Sequence, residues 1–112
     1  MTGNVDKKML QDLTEIMGDD MKLLITSYIQ DSQNKIAEWA SLDIVKQQNE
    51  IYRMAHSLKG SSRNVGAMLF ADYCEKVETL ARQESLTSKD FSIEQLRCLF
   101  DAVHTELKQM FL

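Results

Sequence analysis

The sequence predicts an all-α protein, an antiparallel up-down four-helix bundle with a short extra helix at its N-terminus. The 112 residues contain no proline and only four glycines, which favours long, uninterrupted helices. Apolar residues recur every three or four positions along most of the chain, and no useful length of sequence alternates as a β-strand does. The length suits a single domain with one hydrophobic core, and we assign residues 1–112 to it.

The first two predicted helices are separated by a glycine. Asp6 is a residue type that caps helix N-termini well, and the helix after it ends at Met17. Gly18 follows, and glycine readily adopts the left-handed conformation that terminates a helix. The second helix begins where Asp19–Asp20 place negative charge at its positive end, and its apolar period predicts that it runs to about Ser41.

The third and fourth predicted helices are joined by a tight turn. We predict Asp43 as the N-cap of the third helix, which ends near Arg63 or Asn64. Residues 64–66, Asn-Val-Gly, form a turn of the kind that joins antiparallel neighbours. The fourth helix covers about 67–84. Its predicted apolar side consists of Leu69, Phe70, Tyr73, Cys74, Val77, Leu80 and Ala81.

The last helix follows a polar segment. Residues 85–90 are mostly polar and predict a loop. Residues 92–95, Ser-Ile-Glu-Gln, have the spacing of a capping box, in which the first and last side chains satisfy each other's free backbone donors. Apolar residues then repeat every three or four positions to the C-terminus, which predicts a helix over that whole length.

Composition and charge argue against several functional classes. The net charge of −4 argues against a nucleic-acid-binding protein, which normally has a basic face. No apolar run approaches membrane-spanning length and no signal sequence is present, so we expect no membrane contact and a cytoplasmic location. Cys74 and Cys98 form neither a disulfide framework nor a zinc-type pair, and we expect reduced thiols. No Glu-x-x-His pair or phosphate-binding glycine loop occurs, so we expect no metal or ATP site.

The most informative stretch is 53–62, Arg-Met-Ala-His-Ser-Leu-Lys-Gly-Ser-Ser. At about 100° per residue, His56, Lys59, Gly60 and Arg63 share an arc beside the apolar stripe. An imidazole there has its base packed, its outer nitrogen in water and a positive charge one turn away. The glycine leaves room for a partner above the ring, although glycine inside a helix costs up to about 1 kcal/mol relative to alanine. This arrangement indicates a histidine that meets an anion and a second macromolecule.

The same stretch resembles the signature of a known family. The run Ala-His-Ser-Leu-Lys-Gly at 55–60, followed by Val-Gly-Ala at 65–67, is similar to the motif of histidine phosphotransfer (HPt) domains. The likeness extends to Cys74 and Glu78. HPt domains are helical bundles that relay phosphoryl groups in two-component signalling. His104, the second histidine, has no such neighbours, and we expect it to lie at the flank of the last helix.

The resemblance implies roles for four residues. His56 would accept the phosphoryl group on Nε2, and Lys59 would offset the charge of the phosphohistidine. Gly60 would clear the approach of the partner. Glu78 would hold the Nδ1–H of His56 and so fix the tautomer that leaves Nε2 as the nucleophile. Spacing alone leaves open whether Glu78 points at the ring or at solvent.

The resemblance also implies a phosphocarrier that is not an enzyme in its own right. His56 would accept the group from a receiver aspartate or a hybrid kinase and pass it to another response-regulator receiver. Mg²⁺ is expected on the receiver and no cofactor on this chain. We expect a monomer, because the motif face must stay free. Ile16, Met17 and Met21, with Arg63, form a predicted docking surface for these partners.

Two other functional classes remain open from the sequence. The first is a helical interaction module that binds receiver domains and is never phosphorylated. Glutamine in place of His56 would leave the function of such a module unchanged. The second is a metal- or cofactor-binding bundle with catalytic activity, and the missing ligand pattern argues against it.

Overall fold

The computed structural model describes residues 4–112, in which all regular secondary structure is helical. Four of its α-helices form the bundle, with α3 packed most extensively against α4 and with α2 and α5 completing the ring. Residue numbers rise along α3 as they fall along the facing side of α4, so these helices are antiparallel. The prediction of an up-down four-helix bundle with an extra N-terminal helix is confirmed. The helices are α1 (Lys7–Met17), α2 (Met21–Ala40), α3 (Gln48–Asn64), α4 (Met68–Arg82) and α5 (Ile93–Phe111).

Helix α1 has the predicted N-terminus, because Asp6 Oδ1 accepts a hydrogen bond from the Met9 N–H at 3.0 Å. Gly18 follows Met17 with φ of 56°, and its N–H donates to a carbonyl of the last turn. A 3₁₀ turn, Gly18–Asp20, leads directly into α2. Asp20 has helical backbone angles and its side chain makes no capping bond, so the two aspartates add negative charge without capping α2.

The prediction of Asp43 as the N-cap of α3 is wrong. Its Oδ1 accepts from the N–H groups of Val45 and Lys46, both at 2.9 Å, and so caps a separate turn over 44–47. The Asp43 N–H donates a hydrogen bond to the side-chain oxygen of Gln47 at 2.8 Å, which closes this turn. Helix α3 therefore begins only at Gln48 and ends at Asn64, as predicted.

The turn after α3 is anchored to the start of α1. Gly66 has φ of 75°, and its carbonyl oxygen accepts a hydrogen bond from the Asp6 N–H at 2.9 Å. A Cβ on Gly66 would lie 3.1 Å from both the Cβ and the backbone nitrogen of Asp6. Buried Tyr28 on α2 bonds through its hydroxyl to the Ser62 hydroxyl at 2.7 Å, which ties α2 to the end of α3.

Helix α4 is shorter than predicted, because it ends at Arg82 and Glu84 then adopts a φ of 54°. The Ser85 N–H donates to the Leu80 carbonyl at 2.9 Å, which closes the helix end. Glu84 thus occupies the left-handed position where glycine is usually found. Leu69 is 58% exposed, so its placement on the apolar side was wrong. It lies in the first turn of α4, where the neighbouring helices do not cover it.

The connection from α4 to α5 is less polar in its contacts than its sequence predicts. Leu86 and Phe91 are buried, and the Phe91 ring stacks on Trp39 at 5.0 Å between centroids. The Gln48 side-chain amide bonds to both backbone groups of Leu86, accepting from its N–H at 3.2 Å and donating to its carbonyl at 3.1 Å. The loop is therefore fixed to the start of α3.

The predicted capping box of α5 is half formed. Ser92 Oγ accepts from the Gln95 N–H at 3.2 Å, whereas the Ser92 N–H donates to the Tyr73 hydroxyl at 3.3 Å. The core runs the length of the bundle. Its largest fully buried side chains include Trp39, Phe70, Leu10, Ile25, Ile51, Leu58, Leu96 and Leu107. No helix within residues 4–112 is long and apolar enough to span a lipid bilayer.

Candidate functional site

His56 lies on α3 where that helix faces α4, and its side chain is 61% exposed. Its Nδ1 lies 2.8 Å from Oε2 of Glu78, which projects from α4 and is only 7% exposed. Spacing left the direction of Glu78 open, and in the structure it points at the ring. An ionised carboxylate can only accept, so the proton of a neutral His56 lies on Nδ1 and the lone pair on Nε2. Within residues 4–112, no side chain or backbone group is hydrogen-bonded to Nε2.

Lys59 lies one turn after His56 and contacts the other oxygen of the same carboxylate. Its Nζ forms an ion pair with Glu78 Oε1 at 2.6 Å, and its side chain is 17% exposed. Burial by itself would raise the pKa of Glu78, but the Lys59 ammonium and the His56 ring together outweigh burial and lower it. Glu78 is therefore ionised at neutral pH, and it accepts a hydrogen bond from His56 while forming an ion pair with Lys59.

Two residues that the sequence reasoning missed extend this site along α3 and α4. The Tyr52 ring, one turn before His56, stacks on the imidazole with centroids 6.1 Å apart and planes 28° apart. Arg82, one turn after Glu78, donates from Nη2 to the Tyr52 hydroxyl at 3.0 Å. Its guanidinium carbon lies 5.2 Å from the centroid of the Tyr52 ring. The available signal was the spacing of four residues between Tyr52 and His56 on α3 and between Glu78 and Arg82 on α4. The contact of Arg82 with Tyr52 becomes visible only once the two helices are paired.

Gly60 lies on the exposed face of α3 beside His56. A Cβ built at this position would meet no heavy atom within 4 Å. The packing of this chain therefore does not require a glycine there. The space above Gly60 is open to an approaching molecule, which is the geometry that the sequence predicts for this residue.

The predicted docking residues do not all lie on the surface. Ile16 is 81% exposed and Met17 is half-buried, whereas Met21 is 2% exposed and belongs to the core. Met21 faces inward at the start of α2, so it is not part of a docking surface. Arg63 pairs within its own chain, with Nη2 at 3.2 Å from Glu75 and 3.7 Å from Asp72 on α4.

The remaining candidate groups lie away from the Glu78 carboxylate or are buried. His104 is half-buried on α5 at the flank of the apolar stripe, as predicted, with its Nδ1 3.5 Å from Gln33 Nε2. Both cysteines are free thiols, Cys98 exposed and Cys74 buried. Burial, with the Glu78 charge adding to it, raises the pKa of Cys74 to about 12. No group of three or more histidine, cysteine or acidic side chains within residues 4–112 is placed to hold a metal ion.

Comparisons with known proteins agree with this geometry. A family model described as "Hpt domain" matches residues 8–110. Among solved structures, the chain is similar to histidine-containing phosphotransfer protein B from Pseudomonas aeruginosa PAO1, with a TM-score of 0.89 and 30% sequence identity. That match covers 98% of this chain and 96% of the other. A search of curated protein sequences finds no match.

Proposed function

The chain belongs to the Hpt domain family and acts in histidine phosphotransfer in phosphorelays, and on this premise we propose that His56 carries the phosphoryl group. Members of this family are phosphocarriers that interact with receiver domains and kinases. The observation that supports His56 is the bond between its Nδ1 and Glu78 at 2.8 Å, on a ring that is otherwise exposed. That bond leaves Nε2 unprotonated and open to a phosphodonor.

In the proposed reaction, Nε2 of neutral His56 attacks the phosphorus of a receiver's aspartyl phosphate. The Nε2–P bond forms as the bond from phosphorus to the aspartate oxygen breaks, and the electron pair leaves with the aspartate carboxylate. The ring keeps its proton on Nδ1 and gains a positive charge, which the Glu78 carboxylate stabilises. The reverse reaction moves the group to the aspartate of another receiver.

We assign supporting roles to the residues around the ring. Lys59 is paired with Glu78 and so holds the carboxylate in place, and its positive charge lies one turn from the site of the phosphoryl group. Gly60 supports docking, since the space above it is open. Ile16, Met17 and Arg63 remain the proposed partner-contacting residues, with Arg63 exchanging its partners on α4 for acidic groups of a receiver.

The exchange partners follow from this chemistry. We propose that His56 receives the group from a receiver aspartate or a hybrid kinase and passes it to a response-regulator receiver, in the cytoplasm. This chain would contribute the nucleophile and the docking surface as a monomer, without its own ATP or metal site. Mg²⁺ would be bound by the receiver, where it offsets the charge on the phosphoryl oxygens.

The test is transfer from a radiolabelled phosphorylated receiver domain to the wild type, His56→Gln and His104→Gln. We expect label on the wild type and on His104→Gln, and none on His56→Gln. The label should be labile in acid and stable in alkali, as a phosphohistidine is. Label that persists on His56→Gln would contradict the proposal.

The same experiment separates the proposal from the interaction module left open by the sequence. A wild type that binds receivers but acquires no label from any of a panel of them would favour that module. Binding of the receiver to His56→Gln should be retained in either case, because the substitution leaves the docking surface intact. This binding measurement also shows that the variant is folded.

A further inference from the structure

The His56 ring has few contacts that fix its orientation. Among residues 4–112 the ring makes one hydrogen bond, from Nδ1 to Glu78, and this bond defines an axis about which the imidazole can still tilt. With 61% of the side chain exposed, solvent does not resist such tilting. In-line attack requires the Nε2 lone pair, which lies in the ring plane, to point at phosphorus. A second contact that sets the ring plane would therefore affect the rate.

The Tyr52 ring makes such a contact. It lies four residues before His56 on α3, and its plane is within 28° of the imidazole plane. Side chains four residues apart on a helix lie one above the other, so α3 brings the two rings together, and the bond to Glu78 fixes the imidazole against the Tyr52 face. A ring face stacked on the imidazole restricts its tilting about the Nδ1–Glu78 axis.

Tyr52 is in turn held from α4. Arg82 donates a hydrogen bond to the Tyr52 hydroxyl at 3.0 Å, and its guanidinium carbon is 5.2 Å from the ring centroid. Arg82 lies one turn after Glu78 on α4. The same helix therefore provides the carboxylate that bonds to the His56 ring and the guanidinium that holds the Tyr52 ring against it. An isolated tyrosine on a helix surface would have more rotamers available to it.

We propose that Tyr52 is a positioning residue for phosphotransfer, which sets the plane of the His56 ring so that Nε2 points at the incoming phosphorus. The proposal rests on His56 being the phosphoacceptor. The hydroxyl of Tyr52 serves to hold the ring through Arg82 and takes no part in the reaction. The aromatic face is the part that acts on His56.

The test compares Tyr52→Leu with the conservative Tyr52→Phe. The rate constant of transfer is measured in single-turnover experiments at saturating phosphorylated receiver, and the receiver's Kd is measured separately. Tyr52→Leu should lower the saturated rate constant by about threefold to tenfold, the range expected for loss of one aromatic contact, with Kd unchanged. Tyr52→Phe keeps the face and should stay within about twofold of the wild type.

A matched control removes a different half-buried tyrosine. Tyr73 on α4 packs against Phe91, and its hydroxyl bonds to the Ser92 backbone. Tyr73→Leu should lower the melting temperature without changing the saturated transfer rate at a temperature where the variant is folded. If a general loss of stability were the cause, the saturated transfer rates of Tyr52→Leu and Tyr73→Leu would fall alike. That result would overturn the positioning role.

Proton NMR gives a readout of the geometry itself. The stacked Tyr52 ring should shift the carbon-bound ring protons of His56 upfield in the wild type and in Tyr52→Phe. This shift should disappear in Tyr52→Leu. Its absence from the wild type would contradict the proposed stacking in solution.

The failure of this inference differs from the failure of the proposed function. If Tyr52→Leu transfers at the wild-type rate while His56→Gln acquires no label, His56 is the acceptor and Tyr52 does not position it. If Kd rises and the saturated rate is unchanged, Tyr52 contacts the receiver directly and the positioning role is overturned. Label on His56→Gln would instead show that His56 is not the phosphoacceptor, and both the proposed function and the role of Tyr52 would then fail.

Discussion

Glu78 uses its two carboxylate oxygens for two different partners, His56 through Oε2 and Lys59 through Oε1. A carboxylate that is 7% exposed is costly unless it is paired. The Lys59 ammonium provides that pairing and leaves Oε2 free to accept from the imidazole. We therefore interpret Lys59 as a residue that keeps Glu78 ionised and oriented, in addition to its proposed effect on the phosphoryl group.

This interpretation predicts how stability depends on pH. The pKa of Glu78 is lowered in the folded protein, so the unfolded chain binds more protons in acid. The free energy of unfolding therefore decreases as the pH decreases. The stabilisation is fully present above the ordinary carboxyl pKa of 4.5 and is lost as pH falls through the lowered value. Relative to Glu78→Gln, the wild type should lose unfolding free energy progressively as the pH falls below about 5 and then through the lowered pKa of Glu78.

Urea denaturation at several pH values measures this difference. Glu75→Gln is the matched control, because Glu75 is half-exposed on the same helix and pairs with Arg63. That exposed pair should contribute less than about 1 kcal/mol at any of these pH values. An unfolding free-energy difference between wild type and Glu78→Gln that stays constant in acid would show that Glu78 is not held ionised by its neighbours.

Residues of the site differ in how far the sequence predicts them. His56, Lys59 and Gly60 lie within five consecutive positions of one helix, so helical geometry alone places them on one arc. The direction of Glu78 depends on how α3 and α4 are aligned, which no local pattern contains. Tyr52 was missed for a similar reason, since its stacking became evident only with the His56 ring fixed from α4.

At the scale of the helix, Gly60 and Gly66 have opposite requirements. Gly60 has helical neighbours and open space where a Cβ would be, whereas Gly66 has positive φ and no room beside Asp6. Gly60→Ala should raise the free energy of unfolding by up to about 1 kcal/mol. Gly66→Ala, the matched control, should lower it by about 1 kcal/mol or more. Thermal denaturation of the two variants measures both changes.

Gly60→Ala should nevertheless impair transfer from a receiver. A methyl group above the site would displace the donor by about 1 Å, enough to slow transfer tenfold or more. Phosphorylation by a small phosphoramidate, which needs less room, should change little. Equal rates of transfer from the receiver to wild type and Gly60→Ala would contradict the proposed role in clearance.

Helix ends show why element boundaries are harder to predict than helices. Asp43 has the composition of an N-cap, and it does cap backbone N–H groups, but those of a turn that ends before α3 begins. The sequence does not distinguish these outcomes, because the side-chain chemistry is the same. The tertiary contact of Gln48 with Leu86 lies just where α3 starts and is invisible in a local pattern.

Over the whole molecule, apolar periodicity was sufficient to predict the bundle. It reports which side of each helix is buried, and four such helices with short joins have few ways to pack. It did not predict the burial of Leu86 and Phe91. These are single apolar residues in a polar connection, and contacts with residues distant in sequence bury them. The docking surface suggested by the family resemblance wrongly included Met21, because an apolar residue at a helix start can equally face the core.

The bundle brings together groups from two helices, and their contacts leave one nitrogen of the His56 imidazole free. The most direct measurement is NMR of the phosphorylated protein with ¹⁵N-labelled histidine. We expect one-bond coupling between phosphorus and Nε2 of His56, with the ring proton retained on Nδ1. Coupling to Nδ1 of His56, or to either nitrogen of His104, would contradict it.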